Sequence, residues 1–151
     1  ISRAILPIEV SGETVERLVA SGIETAIEIP APVFGESERY IDKLTDLKKY
    51  GVSLAWVGTL DGVGIAEKAG YEVAFGFGTN IFNSLSLAEV EKLGAKDSLL
   101  SCEINLGDAN RLGGDVHRGV MIYGRIPLML TERCFVKEFY GCGACGSFAL
   151  F

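Results

Sequence analysis

The chain has 151 residues, 48% hydrophobic and 23% charged, a globular mixture of ordinary domain size. That balance excludes a disordered or collagen-like chain, and no apolar stretch reaches the roughly 18–20 residues of a membrane span. Formal net charge is −6, with 12 acids against 7 bases in residues 1–75 and 8 against 7 in the remainder, so a broad nucleic-acid-binding face is not expected.

Short apolar runs alternate with amphipathic stretches along the chain. Ala4–Val10 reads as a first strand and Glu13–Ser21 as a helix, with Val15, Leu18 and Val19 on one face and Gly22 placed to end it. Thr25–Ile29 is a second strand. Ser37–Tyr50 is a helix with Tyr40, Ile41, Leu44 and Leu47 as its apolar stripe, Ser37 as N-cap and Gly51 beyond its C-terminus. Ser53–Gly58 and Glu72–Phe77 read as strands flanking a short helix at Ile65–Ala69. Ser86-Leu-Ala-Glu89 has capping-box spacing, and Gly94 ends that helix. Ser98–Ile104, a short helix at Asp108–Leu112, and a strand at Gly119–Tyr123 complete the pattern.

The strand runs are nearly continuous in apolar character, as in strands buried on both faces of a parallel sheet. The predicted fold is therefore α/β, with parallel βα units forming a partial or incomplete TIM-barrel-like sheet. Five or six strands are too few for a complete eight-stranded barrel. An open doubly wound sheet is the alternative. Ile1 at the start and the apolar run Ser147–Phe151 at the end both read as cuts, so residues 1–151 are expected to be a single-domain fragment of a longer protein, with a cysteine-cluster segment at 134–145. A half-sheet leaves edges exposed, and a homodimer that covers them is expected.

Chemistry in such folds gathers at the C-terminal ends of the strands. Asn80 and Asn83 follow the fourth strand run, either as substrate-binding amides or as helix caps. Glu103 follows Leu99-Leu100 at the end of the next and is expected to be partly buried, a placement suited to a general acid, or else ion-paired with Arg125 or Arg133. Tyr123, Arg125 and Arg133 follow the last strand. Arg111, Arg118, Arg125, Arg133 and Lys137 form a cation-rich stretch that reads as a solvated face, with a local anion site as the alternative. His117, the sole histidine, reads as an exposed residue of a glycine-rich turn, which leaves a Ser–His–Asp or Cys–His device poorly supported.

The strongest local signal is Cys134-x7-Cys142-Gly-Ala-Cys145-Gly. A Cys-x2-Cys with a glycine after each cysteine turns two thiolates toward one metal and leaves backbone amides for the sulfurs. Cys134 is the third candidate ligand. Cys102 is a doubtful fourth and reads better as a buried strand residue. Zinc and an iron–sulfur cluster are both soft enough for this donor set. A redox dithiol, a disulfide and simple free thiols remain alternatives.

Tyr123-Gly-Arg-Ile-Pro-Leu-Met-Leu-Thr-Glu-Arg-Cys134 followed by Gly141-Cys-Gly-Ala-Cys145 resembles the collagenase-like peptidases of the U-thirty-two family, which carry a Tyr/His-Gly-Arg-x-Pro-Leu-Met segment running into Arg-Cys and then paired cysteines. Thr79-Asn-Ile-Phe-Asn-Ser84 resembles that family's Leu-Asn-x-Phe-Asn-Ser segment, and Ser101-Cys-Glu-Ile104 its Ser-x-Glu-Leu. Order and spacing agree over roughly residues 50–145.

The resemblance implies a barrel-like α/β domain of bacterial or archaeal, cytoplasmic origin, nominally a peptidase or hydrolase of peptide or collagen-like substrates. Other members are implicated in hydroxylating tRNA, rRNA or a quinone precursor and use four cysteines for an iron–sulfur cluster. Cys134, Cys142 and Cys145 match the family's cysteine positions. Glu103 and Arg125 are the catalytic candidates, and Asn80, Asn83, Tyr123 and Arg133 the substrate-binding ones. A non-catalytic binding module is the remaining reading. The expected partners are a peptide, RNA or small-molecule substrate, with no membrane.

Overall fold

Six short strands alternate with helices in the computed structural model, which describes residues 2–126 and 134–141. In chain order they are β1 (Arg3–Pro7), α1 (Gly12–Ala20), β2 (Glu24–Ile29), α2 (Ser37–Leu47), β3 (Leu54–Val57), α3 (Leu60–Lys68), β4 (Glu72–Phe75), α4 (Ser84–Lys92), β5 (Ala95–Leu99), α5 (Leu106–Ala109), β6 (His117–Gly119) and α6 (Phe135–Tyr140). The chain divides into a unit Ile1–Met121, which holds the whole sheet, and a unit Ile122–Phe151, which holds α6.

The strands lie side by side in the order β1-β2-β3-β4-β5-β6, every pair parallel. A doubly wound sheet reverses its strand order at a switch point. This order never reverses, so the open doubly wound alternative does not hold, and the sheet is a curled half-barrel of parallel βα units.

Alternation along each strand divides the sheet into two faces. Ile27, Ile29, Ala55, Val57, Val73 and Phe75 join one cluster with Val15 of α1, Leu44 and Leu47 of α2, Val63 and Ala66 of α3, and Leu87 and Val90 of α4. Burying each large member of that cluster contributes about 1.5–3 kcal/mol. Ala26, Leu54 and Ala74 form a separate small cluster on the concave face, with Trp56 packed against it.

The concave face also carries charge at its N-terminal end. Arg3 Nε donates to Glu24 Oε2 at 2.7 Å on the adjacent strand, and its Nη1 lies 2.7 Å from Asp97 Oδ2 on β5. In a flat sheet β1 and β5 stand about 19 Å apart, four spacings of about 4.8 Å. Arginine and aspartate together do not span that gap, so the ion pair exists only because the sheet curls. Lys96 pairs with Glu72 at 3.1 Å, and His117 Nδ1 lies 3.7 Å from Asp97 Oδ1. A register shift pairs Val73 with Ala95 but Phe75 with Ser98, which gives β5 one extra residue. That bulge lets the consecutive Lys96 and Asp97 both reach partners at this end.

Several boundaries differ from the sequence reading. β5 and β6 begin three and two residues earlier than their apolar runs: the first half of β5 carries Lys96 and Asp97, which serve the ion pairs, and β6 opens on His117 and Arg118, whose guanidinium donates to the Leu112 carbonyl. The helix over 37–50 turns 3-10 at Lys48–Tyr50. Its N-cap is Glu36, with Ser37 in the first turn. Asn83, not Ser86, caps α4: its Oδ1 accepts from the Ser86 N–H at 2.8 Å, and Ser86 Oγ accepts from the Asn83 N–H at 3.4 Å.

One buried polar contact ties α2 to the end of α3. The Tyr71 hydroxyl donates to the Leu44 carbonyl at 2.8 Å, and Lys48 Nζ donates to the Gly70 carbonyl at 2.7 Å, adding a cation where the helix dipole is negative. Burial pushes the Tyr71 phenol up to about 12.

Two measurements follow. Arg3→Met lowers stability by about 1–2 kcal/mol at pH 7, since it strands the mostly buried Asp97 carboxylate. The hydrogen bond from Arg3 holds the Glu24 carboxyl below the usual range. That contribution is present above the ordinary carboxylate pKa and lost as pH falls through the folded value, so urea midpoints of wild type and variant converge toward pH 3. Equal midpoints at pH 7 would remove Arg3 from this role. For Tyr71→Phe the expected loss is about 0.5–1.5 kcal/mol at pH 7. Its raised folded pKa makes wild-type stability full below pH 10 and declining toward about pH 12, so the gap to the phenylalanine variant closes in alkaline denaturation.

Candidate functional site

The segments after β4 and β5 are bound to each other beyond the sheet. Ile81 pairs in parallel with Leu100, and the Ser101 N–H donates to the Ile81 carbonyl at 2.8 Å. This ladder sets Asn80, Phe82 and Asn83 beside Ser101, Cys102 and Glu103, the clustering of strand-end loops that the sequence suggests. Asn80 is exposed and holds a left-handed backbone, φ 50°. Asn83 has committed Oδ1 to capping α4, which leaves only its Nδ2 for a ligand.

Glu103 differs from expectation. It lies outside β5 in a turn closed by its own N–H donating to Ser101 Oγ at 3.1 Å, and its side chain is exposed, not partly buried. Cys102 is likewise exposed and a free thiol, not a buried strand residue. Both follow from the early end of β5 at Leu99. Within residues 2–121 Glu103 has no ion-pair partner.

A mostly apolar cavity of about 720 Å³ opens between the C-terminal ends of β3 and β4 and helix α4, lined by Thr59, Leu60, Thr79, Ile81, Val90 and Leu93. Its wall depends on a close backbone approach. A Cβ on Gly78 would meet the Gly58 carbonyl oxygen at 2.6 Å, so only glycine lets these two loops touch. Phe34, in the loop after β2, is 57% exposed at φ 47°. Positive φ is a genuine outlier for a bulky residue, and such outliers gather at functional sites. Phe34 and Asn80, the two non-glycine cases among the described residues, both lie beyond strand C-termini.

Sequence reasoning missed Phe34, and it missed the concave mouth. Glu28 is paired in register with Trp56 of β3 and Pro7 of β1. Trp56 leans over β4, its Nε1 within 2.5 Å of where a Gly76 Cβ would stand. The signal was present in the alternation Glu24-x-Ala26-x-Glu28, which marks one face of β2 as polar at both ends.

The remaining predicted residues belong to the second unit or lie outside the description. Tyr123 and Arg125 are exposed in the unit Ile122–Phe151. Cys134 is an exposed free thiol at the N-cap of α6, where its Sγ accepts the Lys137 N–H at 3.4 Å. Arg133, Cys142 and Cys145 lie outside the described residues. Among the described residues no three metal-ligating side chains converge. His117 stands not in a turn but as the first residue of β6, at the end of the sheet opposite the strand C-termini.

The Gly58–Gly78 contact is directly testable. Gly78→Ala is expected to cost about 1–3 kcal/mol in urea unfolding. Gly64→Ala in α3, where a Cβ meets nothing within 4 Å, is expected to gain about 0.5–1 kcal/mol. A neutral Gly78→Ala would mean that the loops separate freely. Compared with protein-family models, curated proteins and solved structures, the chain matches none.

Proposed function

We propose that this chain is the barrel-forming part of a protein of the collagenase-like peptidase type whose chemistry is iron–sulfur-dependent hydroxylation of an RNA base or a small aromatic precursor. The observation that carries the reading is the setting of Cys134. An exposed, free sulfur accepts a backbone N–H at the start of a helix, the kind of amide-to-sulfur contact that surrounds cluster ligands. The donor set fits a cluster, with Cys142 and Cys145 as further ligands and zinc as the alternative metal. When bound, a cluster supplies one-electron chemistry that side chains lack.

The chain's own residues then bind and orient. Asn80 and the Nδ2 of Asn83 offer hydrogen bonds at the strand-end rim, and the exposed Glu103 carboxylate is an acceptor and proton carrier beside them. Tyr123, Arg125 and Arg133 are the second unit's substrate contacts, with Arg125 as its catalytic candidate. Against a histidine-assisted peptidase stands the position of His117, which pairs toward Asp97 at the far end of the sheet. Free thiols at Cys102 and Cys134 suit a reducing compartment such as the cytoplasm, and among the described residues no helix is long and apolar enough to cross a membrane.

The test is anaerobic purification with iron and sulfide analysis, alongside Cys134→Ser and Cys142→Ser. Wild type is expected to hold iron and sulfide in cluster proportion with a visible charge-transfer band, and each variant to lose most of both. A colourless, iron-free protein that cleaves gelatin would overturn the proposal in favour of the peptidase.

A further inference from the structure

Four carboxylates face the concave side of the sheet, and three have cations. Glu24 and Asp97 share Arg3, and Glu72 pairs with Lys96. Glu28 has the same parity on β2 as Glu24 and Ala26, opposite to the helix-facing Ile27 and Ile29. It is the member of the set left without a cation among the described residues. It also stands at the opposite end, one residue from the C-terminus of β2, where parallel barrels place their ligands.

Its surroundings are built for contact. Trp56 is its in-register neighbour on β3, about 4.8 Å away between strands. The indole is half-buried, braced by Ala26, Leu54 and Ala74 beneath and by Gly76 beside it, which has no side chain to displace the ring. The unpaired carboxylate and the indole thus stand in register on neighbouring strands of one face, with the ring tilted toward β4 over small residues. A carboxylate alone attracts any cation, and a ring alone any apolar group. Together they select an organic cation whose apolar substituents cover the indole while its charge meets the carboxylate.

We propose that Glu28 and Trp56 form a binding site for a compact organic ammonium group at the concave mouth of the half-barrel. The site is independent of the cysteine chemistry and is retained if that reading fails. Trp56 is the single tryptophan of the chain, so its emission reports on this site directly.

The test is a fluorescence titration of the whole chain with choline at fixed ionic strength, beside its neutral isostere 3,3-dimethylbutan-1-ol. A saturable change in Trp56 emission is expected with choline and not with the alcohol. Glu28→Gln is expected to weaken the choline response about tenfold or more. Glu72→Gln, which removes a paired carboxylate elsewhere on the face, is expected to leave it unchanged. No saturable response, an equal response to the alcohol, or an undiminished response in Glu28→Gln would each overturn the site. The wild-type comparison of the two probes decides the matter even if Glu28→Gln does not fold.

Discussion

The arrangement of this molecule depends on Arg3. Its guanidinium holds Glu24 on the adjacent strand and Asp97 four strands away, and the second bond closes only on a curled sheet. Two effects of different size are at work. The helix-facing cluster supplies most of the stability, because each large buried side chain contributes more than a surface ion pair's ~0–1 kcal/mol. Burial on one face does not by itself set how tightly the sheet bends. The ion bridge biases that choice, and the bulge in β5 provides the extra residue that lets Asp97 take part.

Curling gives the two ends of the concave face different characters. At the N-terminal end Arg3, Glu24, Glu72, Lys96 and Asp97 satisfy one another, and His117 adds a further contact toward Asp97. Such an end is self-contained and has little left to offer a ligand. At the C-terminal end the side chains are Glu28, Trp56, Phe34, Asn80 and Glu103, exposed or half-buried and mostly unpaired. The same chain thus spends its ion pairs on shape at one end and leaves polar groups open at the other, the division that parallel barrels show between a structural and a functional face.

The fold was legible because it is written in apolar runs. Each predicted strand and helix overlaps an observed element, β6 by Gly119 alone and α5 by Asp108 and Ala109, while α6 was not predicted; the buried residues Val15, Leu44 and Leu47 were those of the predicted stripes. What failed was the position of β6 and, with wider consequence, that of β5. Centring it on Leu99-Leu100 hid the fact that Ala95–Leu99 carries Lys96 and Asp97, charges meaningful only against Glu72 and Arg3 far off in sequence. That single displacement also misplaced Glu103 and Cys102, which became turn residues when the strand ended early. Asn83 was ambiguous for a different reason: an asparagine before a helix is equally a cap and a ligand until its partner, the Ser86 N–H, is known. Phe34 carried no signal, since a left-handed phenylalanine is set by the surrounding structure and not by its own preference.

The charges that remain also narrow what the rim can hold. The first unit presents Glu28 and Glu103 there, and Glu9 with Arg39 as its partner. A phosphate brought among unpaired carboxylates meets repulsion. Of the cation-rich stretch, Arg125, Arg133 and Lys137 belong to the second unit, while in the first Arg111 pairs with Asp108 and Arg118 donates to the Leu112 carbonyl. The half-barrel is left with the tasks its side chains suit: stacking on Trp56 or Phe34, hydrogen bonds from Asn80 and Asn83, and charge from Glu28 and Glu103. Those are means of recognising a planar or cationic group.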